Sequence, residues 1–441
     1  MKLPEYIRDA VDRLEQAGFA TYAVGGCVRD SVLGLMPQDY DLCTAALPEQ
    51  IRQVFAHRQL VLAGEKHGTV SVVTDRGLIE ITTFRTEGGY DDSRHPDWVR
   101  FVPAVEEDLS RRDFTVNAMA WSPDRGFADP FGGQEDLQAG ILRCVGDPRA
   151  RFAEDALRIL RGVRFSVRYG LKVEPATKEA MFDLAPLLDK LARERVFDEL
   201  CKLLPHIHAA QLLEFAPILV RILPELAPCL GFDQKNHHHA CDVFTHTARV
   251  VEAMPPDPVL RLAALLHDVG KPVSFYMDER GVGHFPDHAK LGAELADAAL
   301  RRLRASNELR SRVVSLIERH MTPLEPDPKL LRRRLSRYSV EGTYDLLALQ
   351  RADFGGKGTG EETDHFDRVE AMLAQIISQD ACLSLRDLAI NGKDLLALGF
   401  APGKTVGRCL EMLLEQVLAE TIPNEKAALQ EAALRFLHTD K

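Results

Sequence analysis

An α+β fold is what the residue pattern predicts: a head of mixed strands and helices, followed by a long helical remainder. Three observations carry this. Short runs that alternate apolar and polar residues crowd residues 1 to about 140. From about residue 141 onward strand signals nearly vanish and helical periodicity takes over. The chain has 441 residues, too many for one ordinary core, so several domains are expected.

The elements follow in order. MKLPEYIRDAVDRLEQAG reads as an amphipathic helix, TYAVGG (21–26) as a strand ending in a turn, and YDLCT (40–44) as a short strand. TVSVVT (69–74) and LIEITTFR (78–85) alternate as half-buried strands do. GGYDDSRHPD (88–97) is rich in turn formers and reads as a mobile loop. Helical patterns then run through AEDALRILRGVRFSVR (153–168), ATKEAMFDLAPLLDKLA (176–192), RERVFDELCKLLPHI (193–207), VLRLAALLHDVG (259–270) and EKAALQEAALRFL (425–437). Pro- and Gly-containing stretches near 222–236 and 354–362 are the expected seams.

Composition narrows the class. Hydrophobic residues at 45% and charged residues at 27% are globular values. No apolar run reaches the roughly 18 residues of a membrane span. The N-terminal helix pattern mixes in acids, unlike a signal or transit peptide, so a cytoplasmic location is expected. Eight cysteines are scattered without a CxxC pair, which fits reduced thiols. A net charge of -11 argues against wholesale nucleic-acid binding, but binding depends on patches. Basic residues cluster in RRDF (111–114), RILRGVRFSVR (158–168) and LRRRLSR (331–337). Any one of these clusters reads equally well as a solvated helix face.

The first chemical constellation begins at GGCVRD (25–30). Paired glycines after a strand let backbone amides approach a phosphate, and a helix N-terminus favours anions. Gly26 and Arg29 are the candidates here. About ten residues later QDYDLCT carries Asp39 and Asp41. In a strand, positions i and i+2 share a face. Two carboxylates held side by side call for a hard cation, and Mg²⁺ suits oxygen ligands completed by water and phosphate. A DxD alone reads more simply as an acidic turn.

The combination GG-x-V-R-D then D-x-D resembles the DNA polymerase β nucleotidyltransferase superfamily. More narrowly it resembles the class II CCA tRNA nucleotidyltransferase and bacterial poly(A) polymerase family. The likeness continues in order through RRDFTVNAMA (111–120), DPFGGQEDL (129–137), EDALRILRGVRF (154–165) and ERVFDEL (194–200). It implies a polymerase β-like head with a mixed sheet, with Asp39 and Asp41 as catalytic Mg²⁺ ligands. Arg112 is expected at the triphosphate, with Asp113 and Asn117 orienting the sugar or fixing the loop. Glu80 is either a third carboxylate near the metals or an ordinary edge-strand residue.

In EDALRILRGVRF, Asp155 and Arg158 stand at i and i+3 and are expected as neighbours on one helix. An acceptor beside a planar donor fork can pair with a base edge. The resemblance makes this pair the protein template that selects CTP and then ATP. Arg161 and Arg164 continue the i+3 ridge and are expected to hold the triphosphate.

The stretch 84–102 resembles the loop of full CCA-adding enzymes, and 388–426 resembles the family's tRNA-binding C-terminal region. There Gly392 and Gly403 could let backbone approach RNA phosphates, although ordinary turns would look the same. The mixed-charge C-terminus argues against a poly(A) polymerase. A CC-adding or A-adding specialist remains an alternative.

A second constellation is His246 opening a helix, His267–Asp268 ending another, then His288, His320 and Asp353. This H…HD…H…H…D order resembles the HD phosphohydrolase superfamily. His246, His267, Asp268 and Asp353 match its metal ligands, and His288 and His320 match the extra ligands of two-metal members. Imidazole and carboxylate together suit a divalent transition metal. Lys271 is a candidate phosphate contact, and His237–His239 reads as a solvated turn. The resemblance implies phosphohydrolase activity at RNA 3′ or 2′ phosphates.

The expected division is a catalytic head at 1–140, a helical neck at 141–210, an HD domain at 211–360 and a tRNA-binding tail at 361–441. The expected partners are tRNA, CTP and ATP, with no membrane; oligomeric state is not legible. The different-class alternative is an HD phosphohydrolase whose head only senses nucleotide.

Overall fold

The computed structural model describes residues 1–88, 98–235, 241–357, 364–379 and 382–439. Most of the expected loop at 88–97, and His237–His239, lie outside the described residues. The chain divides into two compact units. The first holds Met1–Ile207 and Glu214–Pro224; the second holds His208–Leu213 and Glu225–Lys441.

The first unit is built on a mixed sheet. Its strands are β1 (Thr21–Val24), β2 (Asp41–Thr44), β3 (Leu60–Val61), β4 (Thr69–Thr74) and β5 (Gly77–Thr83), with a separate hairpin of β6 (Arg85–Gly88) and β7 (Trp98–Phe101). β8 (Ala120–Ser122) and β9 (Gly126–Ala128) complete the sheet, in the order β3-β4-β5-β2-β1-β8-β9. Alternation explains its inner face: Val70 and Val72 on β4 and Ile79 and Ile81 on β5 are buried, while Glu80 between them is exposed. β2 runs antiparallel to β1 and parallel to β5.

Around the sheet lie α1 (Glu5–Gln16), α2 (Gly26–Val32), α3 (Pro48–Val54), α4 (Val105–Ser110) and α5 (Gly133–Ala139). α1 buries Ile7, Ala10, Val11 and Leu14, one stripe at helical spacing. One core cluster joins sheet and helices through Val24, Cys43, Phe84, Val105 and Leu109.

The helices that follow differ from expectation at one point that matters. AEDALRILRGVRFSVR is two helices, α6 (Pro148–Glu154) and α7 (Leu157–Tyr169). Asp155 lies between them in extended backbone, with φ -140° and ψ 101°. Its carboxylate accepts from the backbone N–H of Leu157 at 3.0 Å, capping the second helix instead of continuing the first. α8 (Pro175–Asp183), α9 (Arg193–Leu203), α10 (Ala209–Glu214) and α11 (Ala216–Ile222) come next.

The second unit is helical: α12 (Val243–Ala253), α13 (Pro258–Leu266), α14 (Lys271–Ser274), α15 (His288–Arg302), α16 (Asn307–Arg319) and α17 (Pro328–Gly356). α12 begins one turn before His246, because the Asp242 side chain caps the N–H groups of Phe244 and Thr245. α17 is kinked at Ser339, whose φ is 67°. After α18 (Asp364–Ser378), helices α19 (Gly392–Ala397), α20 (Lys404–Leu418) and α21 (Lys426–Thr439) pack round Leu395, Phe400, Cys409, Leu413 and Leu429. Gly403 has φ 127°, a conformation that other residues rarely adopt. All eight cysteines are free. Among the described residues no helix is long and apolar enough to cross a membrane.

Candidate active site

One cleft in the first unit, about 1020 Å³ in volume, gathers residues that are far apart in sequence. Gly25, Gly26, Arg29, Asp41, Arg112, Asp155, Arg158, Arg161 and Arg164 all line it. Gly25 makes the turn from β1 into α2 at φ 75°, and a Cβ there would lie 2.9 Å from Arg112 Nη1. Gly25 is thus needed for its backbone sign, and any side chain there would displace the tip of Arg112.

β2 starts at Asp41, not before it, which corrects the expectation for Asp39. Asp39 precedes the strand, so strand periodicity does not set its direction, and it does not line the cleft. The carboxylate next to Asp41 in the sheet is Glu80, its register partner on β5. Asp41 is accessible at the cleft mouth. The protein packed round its carboxyl, then Glu80, and Asp39 in lesser measure, push that carboxyl above the ordinary range, with Arg112 opposing.

The arginines are already engaged. Arg29 is buried, bonds Asp30 at 2.7 and 2.9 Å, donates to Asn117 and Tyr169, and stacks 4.2 Å above the Tyr169 ring. It therefore braces α2 against α7, and its fork is not free. Arg112 reaches buried Asp108 at 3.4 Å. Arg161 donates to Asp113 at 2.8 Å, and Asn117 donates to the other Asp113 oxygen at 3.0 Å. Burial alone would raise the Asp113 carboxyl; Arg161 and Asn117 outweigh it and hold it at about 2. Arg164 donates to Glu199 at 2.7 Å.

Asp155 and Arg158 line the same cleft, but they are not paired neighbours on one helix. Arg158 donates to Glu154 at 2.8 Å, and Asp155 accepts from Arg195 at 2.9 Å. The helix break at residue 155 separates the two and gives each its own partner. Sequence reasoning does not single out Arg111, Arg168 and Arg195, which also line the cleft. Arg195 lies in the quoted ERVFDEL block, so the motif holds a signal for it.

The second unit holds the other constellation, assembled from four helices and the turn after α13. His246 Nε2 is 2.9 Å from Asp353 Oδ1 and 3.6 Å from Asp268 Oδ2. His267 Nε2 is 3.2 Å from Asp268 and 3.6 Å from Asp353. His288 Nε2 is 3.7 Å from the other Asp268 oxygen and 3.2 Å from His320 Nε2. Three of the rings are fixed in the same way: Nδ1 of His267, His288 and His320 faces the carbonyl three residues earlier, of Ala264, Phe285 and Ile317, at 2.7–2.8 Å. With Nδ1 engaged by a carbonyl, Nε2 of each ring is aimed inward; burial opposes the charged form of His267, but Asp268 and Asp353 outweigh it and push that imidazole up to about 10, so a metal ion would displace a proton there. His267 Nε2 is buried without a well-formed hydrogen bond. Their donors converge as His246–His267–Asp268 and as Asp268–His288–His320, each set within 4.8 Å. Imidazole nitrogens turned inward beside carboxylates fit one or two divalent transition-metal ions. Lys271, expected at a phosphate, is buried and held by Asp268 at 2.7 Å and Gln234 at 3.0 Å.

Comparison with known proteins identifies the family. A family model described as "Poly A polymerase head domain" matches residues 21–143, one described as "Probable RNA and SrmB- binding site of polymerase A" matches 170–230, and "tRNA nucleotidyltransferase domain 2 putative" matches 283–433. The chain is 34% identical to a CCA-adding enzyme of Latilactobacillus sakei over 428 residues, covering 96% of each protein. It is 33% identical to that of Limosilactobacillus fermentum, covering 98% of this chain and 97% of the relative. The structure of the Bacillus stearothermophilus CCA-adding enzyme in complex with CTP superposes with a TM-score of 0.70 at 28% identity, over 100% of this chain and 99% of that one. With its mixed-sheet head, its arginine-lined cleft and full-length relatives above 30% identity, the chain belongs to the CCA-adding enzyme family of tRNA nucleotidyltransferases.

Proposed function

We propose that this protein adds CCA to the 3′ end of tRNA, using CTP and ATP. The observation that carries the reading is a single cleft lined by a glycine turn, a strand-end carboxylate, an arginine ridge and both Asp155 and Arg158. The same name borne by full-length relatives favours the complete CCA reaction over a CC-adding or A-adding specialist or a poly(A) polymerase.

A divalent metal serves nucleotidyltransferases of this family. Mg²⁺ is our reading, because the donors on offer are oxygens: Asp41, with Asp39 and Glu80 near enough to perturb it. The chemistry that bound Mg²⁺ supplies is charge neutralisation at the attacking 3′-oxygen and the leaving pyrophosphate. The Gly25–Gly26 turn and Arg112, Arg161 and Arg164 hold the triphosphate. Asp155 and Arg158 read the base by exchanging their present partners, Arg195 and Glu154, for its hydrogen-bonding edge. The four-part division at 1–140, 141–210, 211–360 and 361–441 is part of this reading, as is a cytoplasmic location. The test is incubation with tRNA lacking its CCA end, Mg²⁺ and labelled nucleotides. Ordered incorporation of two C and one A is expected; incorporation of neither refutes the reading.

A second activity is proposed at the histidine cluster, as a metal-dependent phosphohydrolase acting on 2′ or 3′ phosphates of RNA ends. His246, His267, Asp268 and Asp353 would hold one divalent transition metal, and His288 and His320 a second. Bound metal there supplies an activated water. The inward-facing Nε2 atoms support metal binding. Release of phosphate from a 3′-phosphorylated or 2′,3′-cyclic RNA end in Mn²⁺, Co²⁺ or Ni²⁺ tests the hydrolysis.

A further inference from the structure

We propose that a second, separate site in the helical unit binds the phosphodiester backbone of RNA, through Arg319, Arg334 and Arg337 gathered round Tyr338. The guanidinium of Arg319 lies 4.4 Å from the Tyr338 ring centre, that of Arg337 5.8 Å and that of Arg334 5.9 Å. Arg319 and Tyr338 line a cleft of about 520 Å³ between α16 and α17.

The charge arrangement calls for an anion. Among the described residues, none of these three arginines lies within 4.0 Å of a carboxylate, although the chain carries 66 acids against 55 Lys and Arg. Their neighbours are satisfied. Two carboxylates, Glu341 and Asp345, also line this cleft, and Arg312 engages both, at 2.9 and 2.7 Å; Arg332 pairs with Glu420 at 2.7 Å and Arg333 with Glu415 at 3.0 Å. Arg334 has its Nε buried with no hydrogen-bond partner. Three like charges on one ring repel one another. Such a group is retained at a cost that a bound anion removes.

The geometry fits RNA in particular. Planar guanidinium forks match phosphate oxygens, and an aromatic face beside them can stack a base or ribose. The backbone keeps the ring in place. Ser339 adopts φ 67°, unusual for a residue with a side chain, and its Oγ accepts the N–H of Gly342 at 3.2 Å where the helix resumes. The kink thus ends the half of α17 that carries Arg334 and Arg337 at Tyr338. This is the basic cluster LRRRLSR read from the sequence, and nothing in the nucleotide cleft uses it.

The proposal rests on tRNA as the substrate and is tested apart from catalysis. Affinity of the full-length protein for tRNA lacking CCA is measured by fluorescence anisotropy across a KCl series. For the triple variant Arg319→Ala, Arg334→Ala, Arg337→Ala, Kd should rise about tenfold or more, and the slope of log Kd on log salt should flatten by about one for each phosphate no longer neutralised. KM for tRNA should rise while KM for CTP does not. Wild-type Kd and slope in the variant overturn the proposal. If the triple variant does not fold, Arg337→Glu at an exposed position should still weaken binding severalfold, and an unchanged Kd there overturns it equally. The triple lysine variant separates charge from structure: it should keep the salt slope and recover much of the affinity, and a loss as large as with alanine means that the arginines only brace the fold. A wild-type protein that binds tRNA yet incorporates no nucleotide would refute CCA addition and leave this site standing.

Discussion

Asp41 on β2 and Glu80 on β5 are register partners on two adjacent interior strands, so two carboxylates lie side by side where Asp41 enters the cleft. Because the folded Asp41 carboxyl is pushed up, its ionised form is disfavoured by the fold. Stability from this group is therefore full below the unfolded carboxylate range and falls as pH rises through the raised value. Asp41→Asn should abolish nucleotide incorporation. In EDTA near pH 7 it should also stabilise the protein slightly, by at most about 1 kcal/mol, since an accessible carboxylate is screened by solvent. Thermal melts with and without Mg²⁺ check this: Mg²⁺ should raise the Tm of the parent and not of the variant through this site.

Asp113 works in the opposite sense. Its folded carboxyl, held at about 2 with Arg161, lies below its unfolded value of about 3.9, so its contribution is full above about pH 4 and lost as pH falls toward 2. Asp113→Ala should cost about 2–3 kcal/mol, the loss of charged hydrogen bonds. Urea melts of the parent and the variant at pH 7 and pH 3 should differ less at the lower pH. An equal gap at both would show that Arg161 is not what stabilises the carboxylate.

Base selection is predicted to depend on residues that hold the reading pair as well as on the pair itself. Asp155→Ala should lower kcat/KM for CTP and ATP by roughly 10²-fold or more and narrow the gap to UTP and GTP, as for a site built to hydrogen-bond its substrate. Arg195→Ala leaves Asp155 without the guanidinium 2.9 Å away and should raise misincorporation while sparing triphosphate affinity. Single-nucleotide kinetics with all four triphosphates decides between these outcomes.

The histidine cluster should bind metal independently of the nucleotidyl-transfer cleft. Saturating Mn²⁺ or Ni²⁺ at about 100 Kd should stabilise the protein by about 2.7 kcal/mol, and His267→Ala should abolish that gain together with phosphate release. CMP and AMP incorporation should survive in His267→Ala. A folded variant that lost both activities would refute the assignment of two separate sites.

How much of this is legible in sequence depends on the range of the forces involved. The strands carrying Glu80 and Val70 announce themselves by alternation, a local property that burial of one sheet face imposes. The helix break at Asp155 does not, because its neighbours are all good helix formers. One Asp155 oxygen takes the nearby Leu157 N–H, but the other takes Arg195, 40 positions away, which no local pattern encodes. Helical spacing pairs Arg158 with Asp155, but where the helix breaks, Glu154 one turn earlier takes that place. Asp39 departs from expectation for a related reason: period-two logic applies only inside a strand, and the strand begins two residues later. The order of histidines and aspartates along the helical unit is readable, while the burial of Lys271 against Gln234 is not.

The self-bracing of His267, His288 and His320 has a consequence for how such a centre drifts over generations. Each ring is steered by a carbonyl only three residues upstream, so its aim is written within four consecutive residues. The flanking helices can exchange most of their other side chains without turning a ring, provided the three short segments still meet. Decay of the centre should therefore begin with replacement of a ligand itself, and a chain that keeps every ligand has kept the means of aiming them.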